Sequence, residues 1–176
     1  MAGSAASVLL RTDTVAASVK ALRGSMRDWR DYNAEEFYIG ESPFLLCLDQ
    51  DDAEPFGGFE DLEDLSSLLG WTPRAYIGFA AMCNQKVDHE RLAQLCLLVA
   101  EGESGLVDFG GALSLGPDLS GSTRAVPMRI SHSAGLDGAL YATAYEIEPD
   151  RFGTCHYGDA AFLRSWMRHP QFRMVK

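Results

Sequence analysis

Four segments of the chain carry apolar residues at the three- and four-residue spacing of an amphipathic helix. We predict a helix that begins near residues 12–14, a short helix that ends at Gly70, a long helix with Asp88 as its N-cap and a closing helix capped by Asp159. Val87, directly before Asp88, stands where a hydrophobic staple forms. The apolar faces of the four helices are, in chain order, Val15, Val19, Leu22 and Met26; Leu62, Leu65, Leu68 and Leu69; Leu92, Leu95, Cys96 and Val99; and Phe162, Leu163, Trp166 and Met167.

Short apolar runs between these helices predict β-strands. Pro43–Leu48 and Arg74–Cys83 are mainly apolar throughout, which favours buried strands, and the second run is the candidate for the centre of the sheet. The other predicted strands are 7–11, 105–109, 126–130, 140–147, 152–157 and 172–175, the last of them at an edge. Because strands and helices interleave without a strict βαβ repeat, we expect an α+β fold with a mixed or mainly antiparallel sheet covered by helices, mainly on one face.

The size and composition of the chain fit one folded domain over residues 1–176. The 176 residues are 47% hydrophobic and 23% charged, which is ordinary for a protein with a buried core. A stretch rich in Gly, Ser and Pro, at about 110–138, is predicted as a long excursion within that domain. No apolar run approaches the roughly 20 residues that cross a bilayer, and no basic region precedes a hydrophobic one at the N-terminus. We therefore expect a cytoplasmic protein without a membrane partner.

Charge is the strongest functional signal in the sequence. The formal net charge is −10, which argues against a phosphate-binding surface and against nucleic acid as a partner. Between Asp31 and Pro73 there are twelve carboxylates and no Lys or Arg. Like charges that are crowded together repel one another, so such a segment favours a role in steering a basic partner. The alternative is a solvated face that keeps the protein soluble.

The acidic stretch is interleaved with aromatic residues, an arrangement typical of a protein interface. The candidate aromatic anchors are Trp29, Tyr32, Phe37, Tyr38, Phe56 and Phe59, of which we expect about half to be buried in the core. The predicted partner-binding residues are Asp49, Asp51, Asp52, Glu54, Phe56, Phe59, Glu60, Asp61, Glu63 and Asp64.

Catalytic and metal-binding motifs are weak. The cysteines Cys47, Cys83, Cys96 and Cys155 form no Cys-x-x-Cys pair, and the four histidines form no close metal-binding pattern. His132, Cys155 and His156 are the residues that a small enzyme would use, although His156 follows Cys155 directly and strand neighbours point to opposite faces. We predict neither catalytic residues nor a cofactor.

Two local patterns have alternative interpretations. The acidic residues from Asp49 to Glu54 offer oxygen ligands for calcium, but the sixth position of an EF-hand loop that begins at Asp49 would be Glu54 where glycine is required. The Asp-Phe-Gly at 108–110 occurs in kinases, yet the other kinase motifs do not accompany it, so we interpret it as a strand that ends at a glycine turn.

Two segments carry a family resemblance: Leu-Val-Asp-Phe-Gly-Gly-Ala-Leu at 106–113, within the segment 89–113, and the C-terminal segment 158–176. Together they resemble a family of small, mostly uncharacterised bacterial proteins that look like immunity proteins of polymorphic or contact-delivered toxin systems. The resemblance implies a protein that binds a cognate toxin and occludes the toxin's active site. The toxin itself would be delivered by a system such as type VI secretion.

With the acidic stretch, the resemblance favours a toxin that has a basic cleft, and a nuclease first of all. NAD-consuming and ADP-ribosylating toxins are alternatives. Two other functional classes stay open: a small hydrolase-type enzyme that reverses a toxin modification, and an accessory or scaffold protein of a secretion system.

Overall fold

The computed structural model describes residues 3–48, 62–111, 113–114, 128–130, 135–148 and 151–174. Within them the chain forms nine strands in one sheet, together with four helices. The strands are β1 (Ala5–Leu10), β2 (Trp29–Asp31), β3 (Glu36–Ile39), β4 (Ser42–Leu48), β5 (Ala75–Ala81), β6 (Leu106–Asp108), β7 (Met128–Ile130), β8 (Leu140–Glu148) and β9 (Arg151–Gly158). The helices are α1 (Val15–Ser25), α2 (Leu62–Leu69), α3 (Lys86–Glu103) and α4 (Ala160–Trp166).

The sheet has the order β2-β3-β4-β5-β1-β6-β9-β8-β7, and every described neighbouring pair is antiparallel. The predicted α+β class is confirmed, in its mainly antiparallel form. The expectation that the run Arg74–Cys83 is central is corrected, because β1 lies in the middle with β5 and β6 on either side of it. Val8 of β1 stands opposite both Ile77 and Val107.

The two faces of the sheet are covered unequally, as predicted. Val8, Ile77 and Val107 are fully buried on a first face, where the main core includes side chains of α1, α3 and α4. The second face carries a smaller cluster in which Leu65 of α2 packs with Leu9 of β1 and with residues of β5, β6 and β9. Alternation along each strand sends neighbouring residues to opposite faces.

The helix caps confirm one prediction and correct another. Asp159 is the N-cap of α4, and its carboxylate accepts a hydrogen bond from the N–H of Phe162 at 2.7 Å. The N-cap of α3 is Gln85, whereas Asp88 is the third helical residue and completes a capping box by accepting from the N–H of Gln85 at 2.8 Å. Asp88 is buried and also accepts from the hydroxyl of Ser42, which ties the start of α3 to β4. Val87 is exposed, so the predicted staple is wrong.

Two predictions about the strands also need correction, one near the N-terminus and one at the C-terminus. β2 and β3 were not expected, because 26–41 contains no long apolar run. Residues 172–174, predicted as part of an edge strand, form none. Instead Met174 is buried, and its N–H donates to Nδ1 of His89 on α3 at 3.1 Å, so this segment docks on a helix.

Candidate partner-binding surface

The second face of the sheet becomes more exposed from its middle toward the edge formed by β2. Tyr38 of β3 stands opposite Pro43 of β4, and the N–H of Met82, which follows β5, donates to the carbonyl oxygen of Pro43 at 3.0 Å. The adjacent row passes from Tyr32 through β3 to Leu45, because the N–H of Tyr32 donates to the carbonyl oxygen of Glu36, which stands opposite Leu45. We call the surface formed by Tyr32, Tyr38, Pro43, Leu45 and Met82 the open sheet face.

The side chains of the open sheet face are only partly covered by the rest of the protein. Tyr32 is 71% exposed and Met82 is 45% exposed, while Tyr38, Pro43 and Leu45 are half-buried. Elsewhere on the same face Tyr76 and Leu9 are buried in the cluster that includes α2. Neighbouring exposed apolar residues with polar residues around them are typical of protein–protein contact sites.

Strand alternation determines which aromatic residues reach the open sheet face. Phe37 points to the core side and is buried, and Trp29 stacks on it with ring centroids 3.9 Å apart. Tyr38 points to the opposite side, where the ring of Tyr32 meets it edge-on at 6.4 Å. Two of the four described aromatic candidates therefore pack toward the core and two face outward. Phe56 and Phe59 lie outside the described residues.

Carboxylates border the open sheet face. The carbonyl oxygen of Glu35 accepts from the N–H of Leu46 at 2.7 Å, beside Cys47, and the pKa of the Cys47 thiol is raised by burial and then by the Glu35 carboxylate. Glu35 and Glu41 are exposed, and neither carboxylate has an ion-pair partner within the part of the chain that is described. Asp31 differs, because it pairs with Arg23 at 3.2 Å. Glu35 directly precedes β3 and Glu41 directly precedes β4, so the unpaired negative charge lies at the ends of the two strands that carry Tyr38, Pro43 and Leu45.

Most of the binding residues predicted from the sequence belong to the segment between β4 and α2. Asp49, Asp51, Asp52, Glu54, Phe56, Phe59, Glu60 and Asp61 lie outside the described residues, and Glu63 and Asp64 belong to the backbone of α2 without a described side chain. The chain between Leu48 and Leu62 joins two elements of the second face, since β4 contributes to the open sheet face and α2 packs beside it. Pro43, Leu45 and Met82 carry no signal of a binding site in the sequence, because only the register of the sheet brings them together.

The alternative catalytic residue Cys155 lies in a partly buried polar cluster elsewhere on the second face. Its thiol donates to Oδ1 of Asp108 at 3.0 Å, and Oδ1 also accepts from the N–H of Gly110 at 2.7 Å. Burial, and then the neighbouring Asp108, raise the pKa of the Cys155 thiol well above its usual value. A thiol that holds its proton is a poor nucleophile, because the thiolate is the reactive form.

His156 lies on the other side of the sheet from Cys155, as predicted. It is fully buried, and its Nδ1 accepts a hydrogen bond from the N–H of Leu113 at 2.7 Å, while Cys155 belongs to the cluster on the second face. β6 ends at Asp108 and Gly110 has a φ of +68°, which agrees with the interpretation of Asp-Phe-Gly as a strand that ends at a glycine turn. His132 lies outside the described residues.

A family model described as "Family of unknown function (DUF6368)" matches residues 2–176. The chain belongs to the DUF6368 family. No curated protein and no solved structure matches it. The DUF6368 match includes both the β2–β4 region of the open sheet face and the C-terminal helix α4.

Among the described residues, no group of three or more His, Cys, Asp or Glu side chains is arranged to hold a metal ion. The calcium candidate from Asp49 to Glu54 falls outside them. None of the described helices is both long enough and apolar enough to cross a membrane.

Proposed function

We propose that this protein is an immunity protein that binds a cognate bacterial toxin and blocks its active site, with the open sheet face as part of the contact. The observation that carries the proposal is the combination, on one edge of the sheet, of exposed apolar side chains with carboxylates that lack a described ion-pair partner. Tyr32, Tyr38 and Met82 supply the apolar anchors, and Glu35 and Glu41 supply the charge.

The two kinds of group have different physical roles. Exposed carboxylates speed up the encounter with a basic partner, and salt weakens this steering because the Debye length is about 8 Å at physiological ionic strength. Aromatic and sulfur-containing anchors act on dissociation, because their burial removes apolar surface from water. A nuclease is the first toxin class to test, since its cleft for the phosphate backbone is basic.

The state of the candidate nucleophile supports occlusion over catalysis. The Cys155 thiol donates to a carboxylate and has a raised pKa, so it is not prepared to attack a substrate. We expect Cys155→Ala and His132→Ala to protect cells as well as the natural protein does. Loss of protection by a folded variant that still binds the toxin would favour the alternative of an enzyme that reverses the toxin's modification.

Charge reversal near the open sheet face tests the proposal directly. The double variant Glu35→Lys, Glu41→Lys should slow association with the toxin made by the neighbouring gene and should reduce the salt dependence of the association rate. The matched control is Asp13→Lys, Asp137→Lys, which alters net charge equally at two exposed residues outside the β2–β4 region. Association rates measured at several salt concentrations, together with protection of cells, provide the readout.

The control decides between two explanations. If both double variants slow association equally, only the net charge matters and the open sheet face is not the contact. If the first variant leaves the rate, its salt dependence and protection unchanged, the carboxylates beside the face are a solvated surface and the proposed contact is wrong.

A further inference from the structure

One basic side chain of the protein itself lies on the open sheet face. The guanidinium carbon of Arg30 is 4.9 Å from the centre of the Tyr38 ring, and the two residues stand opposite each other on β2 and β3. Arg30 is exposed. Within the described part of the chain its guanidinium makes no ion pair, although it precedes a stretch of twelve carboxylates.

The surroundings of Tyr38 suit a planar cation. The face of an aromatic ring carries negative charge density and attracts a guanidinium, which can also stack on it. Tyr32 meets the Tyr38 ring edge-on, with an interplanar angle of 73°, and adds a second aromatic wall. Glu36 of β3 is half-buried and stands opposite Tyr32, two residues before Tyr38 on the same strand, and Oε2 of its carboxylate accepts from the amide of Asn33 at 3.1 Å.

We infer that the Tyr38 ring receives an arginine side chain of the partner, and that Arg30 holds this position in the free protein. The inference rests on the proposed function only in that the partner is a protein with a basic surface. Arg30 shows which chemistry the ring accepts, because this guanidinium stacks on Tyr38 while carboxylates are nearby in the sequence.

A partner arginine can replace Arg30 because burial strengthens the contact. An exposed cation–π contact changes an equilibrium constant by about two- to five-fold, whereas a desolvated one changes it by about thirty-fold. Arg30 lies on the short edge strand β2 and stays in water, so its contact belongs to the weaker class. An arginine enclosed between two proteins would belong to the stronger class.

The test uses the complete chain with N-acetyl-arginine amide as the probe, and it measures the backbone NMR shifts of residue 38 as the probe is added. Arg30→Ala should raise the affinity of the probe at Tyr38 by about two- to five-fold, because the ring is uncovered. The matched control, Arg27→Ala, removes the same charge from an exposed residue that has no described contact with the ring and should leave the affinity unchanged. Tyr38→Phe should keep the effect, and Tyr38→Leu should lose it.

Three outcomes would overturn the inference. Arg30→Ala and Arg27→Ala could raise the affinity equally, which would mean that only net charge matters. In the Arg30→Ala variant the probe could leave the NMR shifts of residue 38 unchanged, which would mean that the uncovered ring does not bind a guanidinium. N-acetyl-glutamate amide could bind at this position instead, which would make Arg30 the recognised group. Since no toxin is present, each of these results leaves the charge-reversal test of the proposed function standing on its own.

Discussion

Replacing Trp166 with alanine is expected to lower the free energy of unfolding by about 4–6 kcal/mol. Trp166 lies on α4 and is 1% exposed within the main core. Its ring is 5.0 Å from that of His169 and 6.0 Å from that of Phe172, and its Nε1 donates to the carbonyl oxygen of Arg173 at 3.1 Å. The side chain therefore holds the C-terminal segment against the helix layer.

The magnitude follows from two contributions. Emptying a buried aromatic site costs about 3–5 kcal/mol, since both transfer energy and packing are lost. The carbonyl of Arg173 loses its donor, which costs about 1 kcal/mol where water does not replace it. A domain of ordinary stability has about 5–15 kcal/mol in total, so the loss amounts to between about a third of the unfolding free energy and nearly all of it.

Urea unfolding followed by circular dichroism measures the change. Two controls separate the core role from general tryptophan effects. Trp166→Phe keeps most of the apolar volume and should cost about 1–2 kcal/mol. Trp71→Ala removes a half-buried ring that Arg11 covers at 4.7 Å, and it should also cost about 1–2 kcal/mol. A loss below about 2 kcal/mol for Trp166→Ala, with an unchanged urea slope, would refute the core assignment.

Three further changes have definite directions. Burial raises the pKa of Cys96 and Cys155, so a thiol reagent should modify the exposed Cys83 first, as measured by mass spectrometry; the reverse order would contradict this. Burial lowers the pKa of His89, so the unfolded chain binds more protons than the folded protein as pH falls below about 6.5. The urea midpoint of the natural protein should therefore fall more between pH 7 and pH 5 than the midpoint of His89→Gln does. Burial raises the pKa of Asp108, so its contribution to stability is lost as pH rises through that pKa; at pH 7 Asp108→Asn should not lower the unfolding free energy, whereas Asp108→Ala should.

The elements that were predicted correctly have strong local signals. The run Pro43–Leu48 predicts β4 because six successive residues suit a buried strand, and Asp159 predicts the start of α4 because a capping carboxylate precedes an apolar helix face. β2 has no such signal, since it is three residues long and two of these are charged. Short edge strands form through pairing with their neighbours, which a local pattern does not contain.

The order of the sheet depended on contacts between distant parts of the chain. The length and apolar character of β5 suggested a central position, but β1 is central because Leu9 pairs with both Tyr76 and Leu106. The helix start at Asp88 was misplaced for a similar reason. Its carboxylate also accepts from the hydroxyl of Ser42, which is 46 residues away, so it serves a tertiary contact as well as the capping box.

The candidate surface was predictable in its charge and not in its shape. A count of carboxylates finds the acidic stretch, because charge needs no geometry. Tyr38, Pro43 and Met82 come together only through the register of three strands, and they are separated by up to 44 residues in the sequence. No local period marks them as neighbours.

The alternation of β3 separates stability from recognition in a way that experiments can use. Phe37 and Ile39 are buried on the core side, whereas Tyr38, the residue between them in the sequence, points to the opposite side and belongs to the open sheet face. Shortening Phe37 must empty the core and lower the unfolding free energy by about 3–5 kcal/mol. Shortening Tyr38 removes a half-exposed ring whose described aromatic and cationic contacts, Tyr32 and Arg30, are both exposed, so the loss should be about 1 kcal/mol or less. A Tyr38→Leu variant that loses its partner and keeps its stability therefore assigns the loss to the surface, because any damage to the fold at this strand would first appear in the unfolding curve.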